Sequence, residues 1–212
     1  MKERLIEDIV NLEWEMFSQV NNLGGRAPCQ EDENNFRIMR EGQAETWSEQ
    51  LLLSYYDDLQ NAKTSGRNMA TERYAYMMEH TYPDEYKAMA RFLPTVDDEK
   101  MALIDEIVAI FLDWRVATSS RYPHLSIQGR AIFSYEDRPY QTSFETYLRS
   151  ELKTYSPATI NLYHALTLEH KDAEVSLEEK SLFNIVRKYG YETLEQADKQ
   201  SEKALSGLLG NL

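Results

Sequence analysis

Glu13 is the first residue whose placement points to chemistry. With residues set at about 100° per step, Leu5, Ile6, Ile9, Val10, Leu12, Met16, Phe17 and Val20 form one apolar arc, and Glu13 falls inside it. An ionised carboxylate on such a face is costly unless it finds a partner or takes up a proton. Two uses fit. It can be half of a buried ion pair, with Arg115 or Arg26 as partner. It can also be a candidate catalytic residue, a general base or an acceptor for a substrate's amine or hydroxyl in a dry pocket. Arg115 is the matching anomaly, at the edge of the arc made by Leu103, Ile104, Ile107, Val108, Phe111 and Trp114.

A second group of candidates lies in the segment 21–30. Gly24 and Gly25 permit positive φ and close backbone approach. Successive N–H groups in such a turn can cradle an anion, and Arg26 adds a planar fork suited to carboxylate or phosphate. Asn21, Asn22 and Gln30 supply donors and acceptors that would orient a ligand. The competing reading is a helix cap followed by a solvated turn. Gly129 and Arg130 repeat the pattern, flanked by Arg121, His124 and Arg138. If the two arginine loops meet, they make a confined positive pocket, which favours a small anionic metabolite over a polymer. Cys29 is expected to be a buried, inert thiol, with a nucleophile as the alternative.

Other chemistries lack their spacing. There is no Glu-x-x-His, no His-Glu-x-x-His, no Walker loop, no Gly-x-Gly-x-x-Gly and no Gly-x-Ser-x-Gly, so no metal and no cofactor is expected. Arg73 and His80 match the Arg-x6-His spacing of small helical ribonuclease domains, a coincidence expected in a chain with this many arginines.

The elements that must position these residues are helices. The 212 residues include 36 acidic and 23 basic side chains, a formal net charge of −13, which disfavours general nucleic-acid binding. A single cysteine excludes an intrachain disulfide. The charged N-terminal stretch and the short apolar runs point to a cytoplasmic protein without a membrane span. Capping-box spacing recurs at Thr46 with Glu49, Thr142 with Glu145, Ser176 with Glu179 and Thr193 with Gln196. Pro83 and Pro157 suit first helical positions, and Gly66 and Gly190 suit left-handed caps. The expectation is an all-α, single globular domain with helices near 2–21, 31–41, 48–65, 68–80, 83–92, 97–119, 143–153, 157–172, 177–189 and 194–206.

The sequence also echoes itself. Leu5 to Val10 recurs as Leu103 to Val108, Gly25-Arg26-Ala27 as Gly129-Arg130-Ala131, Glu45-Thr46-Trp47 as Glu145-Thr146-Tyr147, and Tyr56 to Leu59 as Tyr163 to Leu166. This suggests two pseudo-repeated helical halves, 1–95 and 96–212, packed about a pseudo-twofold axis. The position matching Glu13 is then Phe111, so repeat packing does not demand the carboxylate.

The stretches Glu13-Trp14-Glu15-Met16-Phe17, Val20-Asn21-Asn22, Gly24-Gly25-Arg26-Ala27 and Cys29-Gln30 resemble the opening of a bacterial family known as domain of unknown function 4125. Ala75 to Glu79, Arg121-Tyr122-Pro123 and Thr142 to Arg149 are similar to it as well. The resemblance spans nearly the whole chain and implies no established activity. It does imply a neighbour, since some relatives sit beside a nucleotidyltransferase-like domain. The expected function is therefore small-anion binding, or an enzyme acting on such a molecule, in a pocket between the halves. The alternatives are a helical protein-interaction or accessory protein and, behind it, a helical ribonuclease.

Overall fold

Helix ends in this chain are written in local chemistry, and the computed structural model places them accordingly. It describes residues 1–21, 25–127 and 129–209. Asp32, Ser48, Asn68, Asp97, Ser143, Ser156 and Ser176 each accept a backbone N–H of the first turn and start a helix. Pro83 and Pro157 open helices, and Gly66 and Gly190 adopt φ of +73° and +89° just beyond two others. Thr46 and Thr142 are not the caps. The neighbouring Ser48 and Ser143 take that role.

Among the described residues there are eleven α-helices and no strand: α1 (Lys2–Ser18), α2 (Glu33–Ala44), α3 (Glu49–Thr64), α4 (Met69–Thr81), α5 (Pro83–Met89), α6 (Asp98–Arg121), α7 (Pro123–Ser126), α8 (Phe144–Lys153), α9 (Pro157–Asp172), α10 (Leu177–Lys188) and α11 (Leu194–Leu209). The fold is all-α and a single domain. None of these helices is long and apolar enough to cross a membrane.

Two long helices organise the packing. α1 lies against α2, α3 and α4, while α6 lies against α8, α9 and α10. α3 packs on α9, α2 on α10, and α4 on α8. The main core runs through these contacts and includes Ile9, Val10, Leu51, Leu52, Ile104, Ile107, Leu152 and Ile160. Four aromatic rings meet where α3 and α9 begin. Trp47 lies 5.3 Å from Tyr55 and 5.5 Å from Tyr163, and Tyr155 lies 4.7 Å from Tyr55. A smaller core of Tyr122, Val186, Leu194 and Ala197 seats α11.

Lysines near the starts of the long helices make matching bonds. Lys2 Nζ donates to the carbonyls of Glu45 and Trp47 at 3.0 and 2.7 Å. Lys100 Nζ donates to those of Lys153 and Tyr155 at 2.7 and 2.5 Å. One sequence match fails here. Thr46 and Trp47 follow the end of α2, whereas Thr146 and Tyr147 lie in the first turn of α8, so the two stretches do not hold equivalent places.

Candidate functional site

Glu13 is buried on α1, as its place in the apolar arc requires. Its partner is neither Arg115 nor Arg26. Arg40, on α2, reaches it with two nitrogens, Nε to Oε2 at 2.9 Å and Nη2 to Oε1. The Tyr55 hydroxyl, on α3, donates to Oε1 at 2.7 Å. Arg40 Nη1 also meets Glu151 of α8 at 2.8 Å, and Glu151 meets Arg73 of α4 at 3.1 Å. Two carboxylates and two guanidinium groups thus form a closed, neutral, buried chain linking α1, α2, α4 and α8. Burial works against the Arg40 charge, but Glu13 and Glu151 overcome it and hold its pKa above the ordinary value. Burial, with Glu13 beside it, pushes the Tyr55 phenol well up. The cavity inside the cluster is about 20 Å³, the size of one water. Glu13 therefore serves as an ion-pair acceptor whose two oxygens are both engaged.

The loop candidates separate. Arg26 is exposed, paired with Glu31 at 2.5 Å and bonded to the carbonyls of Ser18 and Gln30, both at 3.1 Å. Gln30 is buried and closes the end of the first helix, its Nε2 donating to the carbonyls of Phe17 and Val20 at 3.1 and 2.8 Å. Gly25 takes φ +88° in an exposed turn, and Asn21 is exposed beside it. Asn22 lies outside the described residues. Cys29 is exposed, contrary to the buried thiol expected. Its position in the turn Pro28–Gln30, outside any apolar face, is the reason. Arg115 pairs with Glu178 and lies 5.0 Å from the Phe144 ring. Arg130 donates to the Thr142 carbonyl at 2.8 Å. Arg26 and Arg130 thus bond different groups, each within its own stretch of chain. Arg130 does reach towards the cluster from outside. Its Cζ lies 4.8 Å from the Tyr147 ring centre, and that of Arg73 lies 4.9 Å from the same ring.

A larger opening lies along the same pair of helices, between α4 and α8. This cleft has a volume of about 240 Å³. The residues at 145, 146, 149, 150 and 153 share one side of α8, at about 100° per step, while Leu148, Glu151 and Leu152 face the core. Arg149, Lys153 and His80 bring three basic groups to the cleft. Lys153 Nζ sits 2.7 Å from Glu79 and 5.3 Å from the Tyr76 ring centre, and Arg149 pairs with Asp105 and, at 3.5 Å, with Glu145. Ser134, from the loop before α8, completes one wall, its N–H held by Glu145 at 2.8 Å.

A family model described as a protein of unknown function, DUF4125, matches residues 3–199. The chain belongs to the DUF4125 family. No curated protein and no solved structure matches it. The DUF4125 description carries no activity, so chemistry has to be read from the arrangement itself. Among the described residues no group of three or more His, Cys, Asp and Glu could hold a metal ion. The α4–α8 cleft sets the cationic groups of Arg149 and Lys153 beside the carboxylates of Glu79 and Glu145. Arg149 and Lys153 are absent from the sequence-derived candidates. Arg149 and Lys153 had a legible signal, since they repeat every four residues on the polar side of a short helix. His80 entered only through its Arg-x6-His spacing from Arg73, which pointed to a different chemistry.

Proposed function

We propose that the chain is a duplicated four-helix unit and that it binds a small anion in the cleft between α4 of the first copy and α8 of the second. Support for duplication comes from the packing order. Exchanging α1 with α6, α2 with α8, α3 with α9 and α4 with α10 leaves the list of principal neighbours unchanged. The paired bonds of Lys2 and Lys100 follow the same exchange. So do the left-handed residues Gly66 and Glu174 after α3 and α9, where the N–H of Arg67 bonds Ala62 and that of Val175 bonds His170, each at 2.8 Å. The supported alignment sets Trp47-Ser48 against Tyr155-Ser156 and Tyr55 against Tyr163.

On that alignment the counterpart of the α4–α8 seam is the α2–α10 seam, and the two differ. Gly42 of α2 lets α10 approach so closely that a Cβ there would lie 2.5 Å from Ile185 Cγ1. Its counterpart on α8 is Ser150, beside the cleft. The single observation carrying the functional reading is this one-sided cleft, where Arg149, Lys153 and His80 stand together with Glu79 and Glu145. Cationic donors grouped on one helix face can turn to a compact anion, while a chain of net charge −13 repels polyanions.

Thermal-shift and calorimetric titration with inorganic phosphate and pyrophosphate test this. Wild type and Arg26→Ala should be stabilised alike, and Arg149→Gln and Lys153→Gln should lose most of the shift. Equal stabilisation of all four proteins, or loss in Arg26→Ala alone, overturns the assignment.

A further inference from the structure

We infer that the buried charge cluster holds an internal water molecule as its fifth member, bonded to Arg73 Nε and to Glu151. The inference is independent of the cleft reading, because it concerns the inner edge of the α4–α8 seam. It starts from an inequality between the two arginines. Arg40 uses every nitrogen: Nε and Nη2 reach Glu13, and Nη1 reaches Gln43 Oε1 at 2.9 Å and Glu151 at 2.8 Å. Arg73 spends Nη1 on Glu151 Oε1 at 3.1 Å, while its Nε is buried and has no acceptor among the described residues. A buried N–H of a charged group is costly to leave unmet, and folded chains meet that need with protein groups or ordered water.

Acceptors for a bridging molecule stand close by. Both guanidinium groups converge on Oε1 of Glu151, and among the described residues no bond reaches its Oε2. Thr154 Oγ1 gives its hydrogen to the Glu151 carbonyl at 2.7 Å and so presents lone pairs. Arg73, Glu151 and Thr154 line the same cavity of about 20 Å³. A water needs about 10–15 Å³ and at least two polar partners, and this cavity supplies both.

Charge selects water over an ion. Glu13 and Glu151 balance Arg40 and Arg73, and all four side chains are buried. A halide added there would face two carboxylates, and a cation would face two guanidinium groups, with little solvent to screen either. Water accepts from Nε–H and donates to a carboxylate oxygen without changing the charge. The rival partner for Nε–H is a ring face. Arg73 Cζ lies 4.9 Å from the Tyr147 ring centre and 5.3 Å from that of Tyr74.

A crystal structure of the intact chain, grown in bromide and sharp enough to place internal waters, decides among these partners. The expected result is a density peak without anomalous signal, within about 3.2 Å of Arg73 Nε and of a Glu151 or Thr154 oxygen. An anomalous peak at that point would show an ion. No peak, with Nε–H directed at Tyr147 or Tyr74, would show a ring partner. Either result overturns the inference. Ala70 lines the cavity three residues before Arg73 on α4, and Ala70→Val fills the space with hydrocarbon. Magnetic relaxation dispersion of water should count one long-lived internal water fewer in Ala70→Val than in wild type. The thermal midpoint of the variant should fall by about 2 °C or more, because Nε–H is left unmet. An unchanged water count, or a midpoint above that of wild type, would mean that the cavity is dry and gains from being filled, and would overturn the inference.

Discussion

Where α2 crosses α10, the helices close on each other through Gly42, Asn184 ties its side-chain amide to the Gly42 carbonyl at 3.1 Å, and Lys188 bridges Glu41 and Glu45 at 2.9 and 2.8 Å. Where α4 meets α8, the outer edge opens into the cleft and the inner edge is crossed by the Arg73–Glu151 bridge. The proposed alignment makes these seams counterparts. Phe111 and Leu148 then stand opposite Glu13 and Arg40, so one half fills with hydrocarbon the places that the other fills with an ion pair. Buried ion pairs seldom stabilise more than apolar groups of similar volume. Placing both departures, charge inside and space outside, along one pair of helices ties the cluster to the cleft. The cluster is read as the rigid backing that fixes α8 against α4, which fits the general need for a supporting shell behind a binding site.

The largest effect should come from breaking the cluster at one point. Arg40→Leu copies the counterpart Leu148 but leaves Glu13 without its guanidinium, and the expected loss is about 3–5 kcal/mol in urea denaturation. The double variant Glu13→Phe/Arg40→Leu copies both counterparts and removes the orphaned charge, while Glu151 keeps Arg73. It should lie closer to wild type than the single variant. A double variant worse than Arg40→Leu would mean that the two halves do not share a packing plan at this position.

A smaller effect separates the seams directly. Gly42→Ala drives a methyl into Ile185, with an overpacking cost of about 1–3 kcal/mol, offset by up to about 1 kcal/mol of improved helix propensity. Ser150→Ala, at the counterpart, removes a hydroxyl from a buried position on the cleft wall and adds no bulk, so it should change stability by about 1 kcal/mol or less. Thermal unfolding of the two variants side by side measures the difference. Equal costs would show that the α4–α8 seam is packed as tightly as its counterpart, and would remove the basis for a cleft.

How much of this was legible depended on range. Pro83, Pro157, Gly66, Gly190 and Ser176 announced helix ends because caps and breakers act within four residues. Glu13 announced its burial because the arc around it belongs to one helix. Its partner did not announce itself, because Arg40 arrives by the crossing of α1 and α2, 27 residues away. Looking to the glycine-rich loop and to the edge of the second apolar arc led to Arg26 and Arg115 instead. The test applied to Glu13 had more to give. Arg73 shares a helical face with Met69, Ala70, Tyr76 and Met77, and Glu151 is flanked by Leu148 and Leu152, so charge interrupts those apolar faces too. The proposed repeat was suggested by Leu5 to Val10 and its echo, but its register was obscured. Glu45-Thr46-Trp47 matches Glu145-Thr146-Tyr147 in letters only, while the pairing that the contacts support, Trp47 with Tyr155, shares little beyond aromatic character.

The smallest expected effect concerns the two lysines whose bonds match under the proposed alignment. Lys2 Nζ and Lys100 Nζ bond corresponding carbonyls, and Lys100 does so from a buried position. Burial lowers its pKa from 10.5 to about 8, with Asp58 and Asp97 partly opposing the fall. The unfolded chain should hold this proton up to its ordinary range. Between about 8 and 10.5, therefore, the folded chain carries fewer protons here than the unfolded one, and this lysine's contribution to stability rises with pH across that window. Buried phenols such as Tyr155, raised by burial, act with the opposite sign above about 10, because the unfolded chain loses those protons first. The lysine is isolated by comparing urea midpoints of wild type with Lys100→Met across the window. The difference, wild type minus variant, should climb with pH. A flat difference would mean that the two carbonyls compensate the buried ammonium fully, and that Lys100 then clasps its half without the desolvation cost its burial implies.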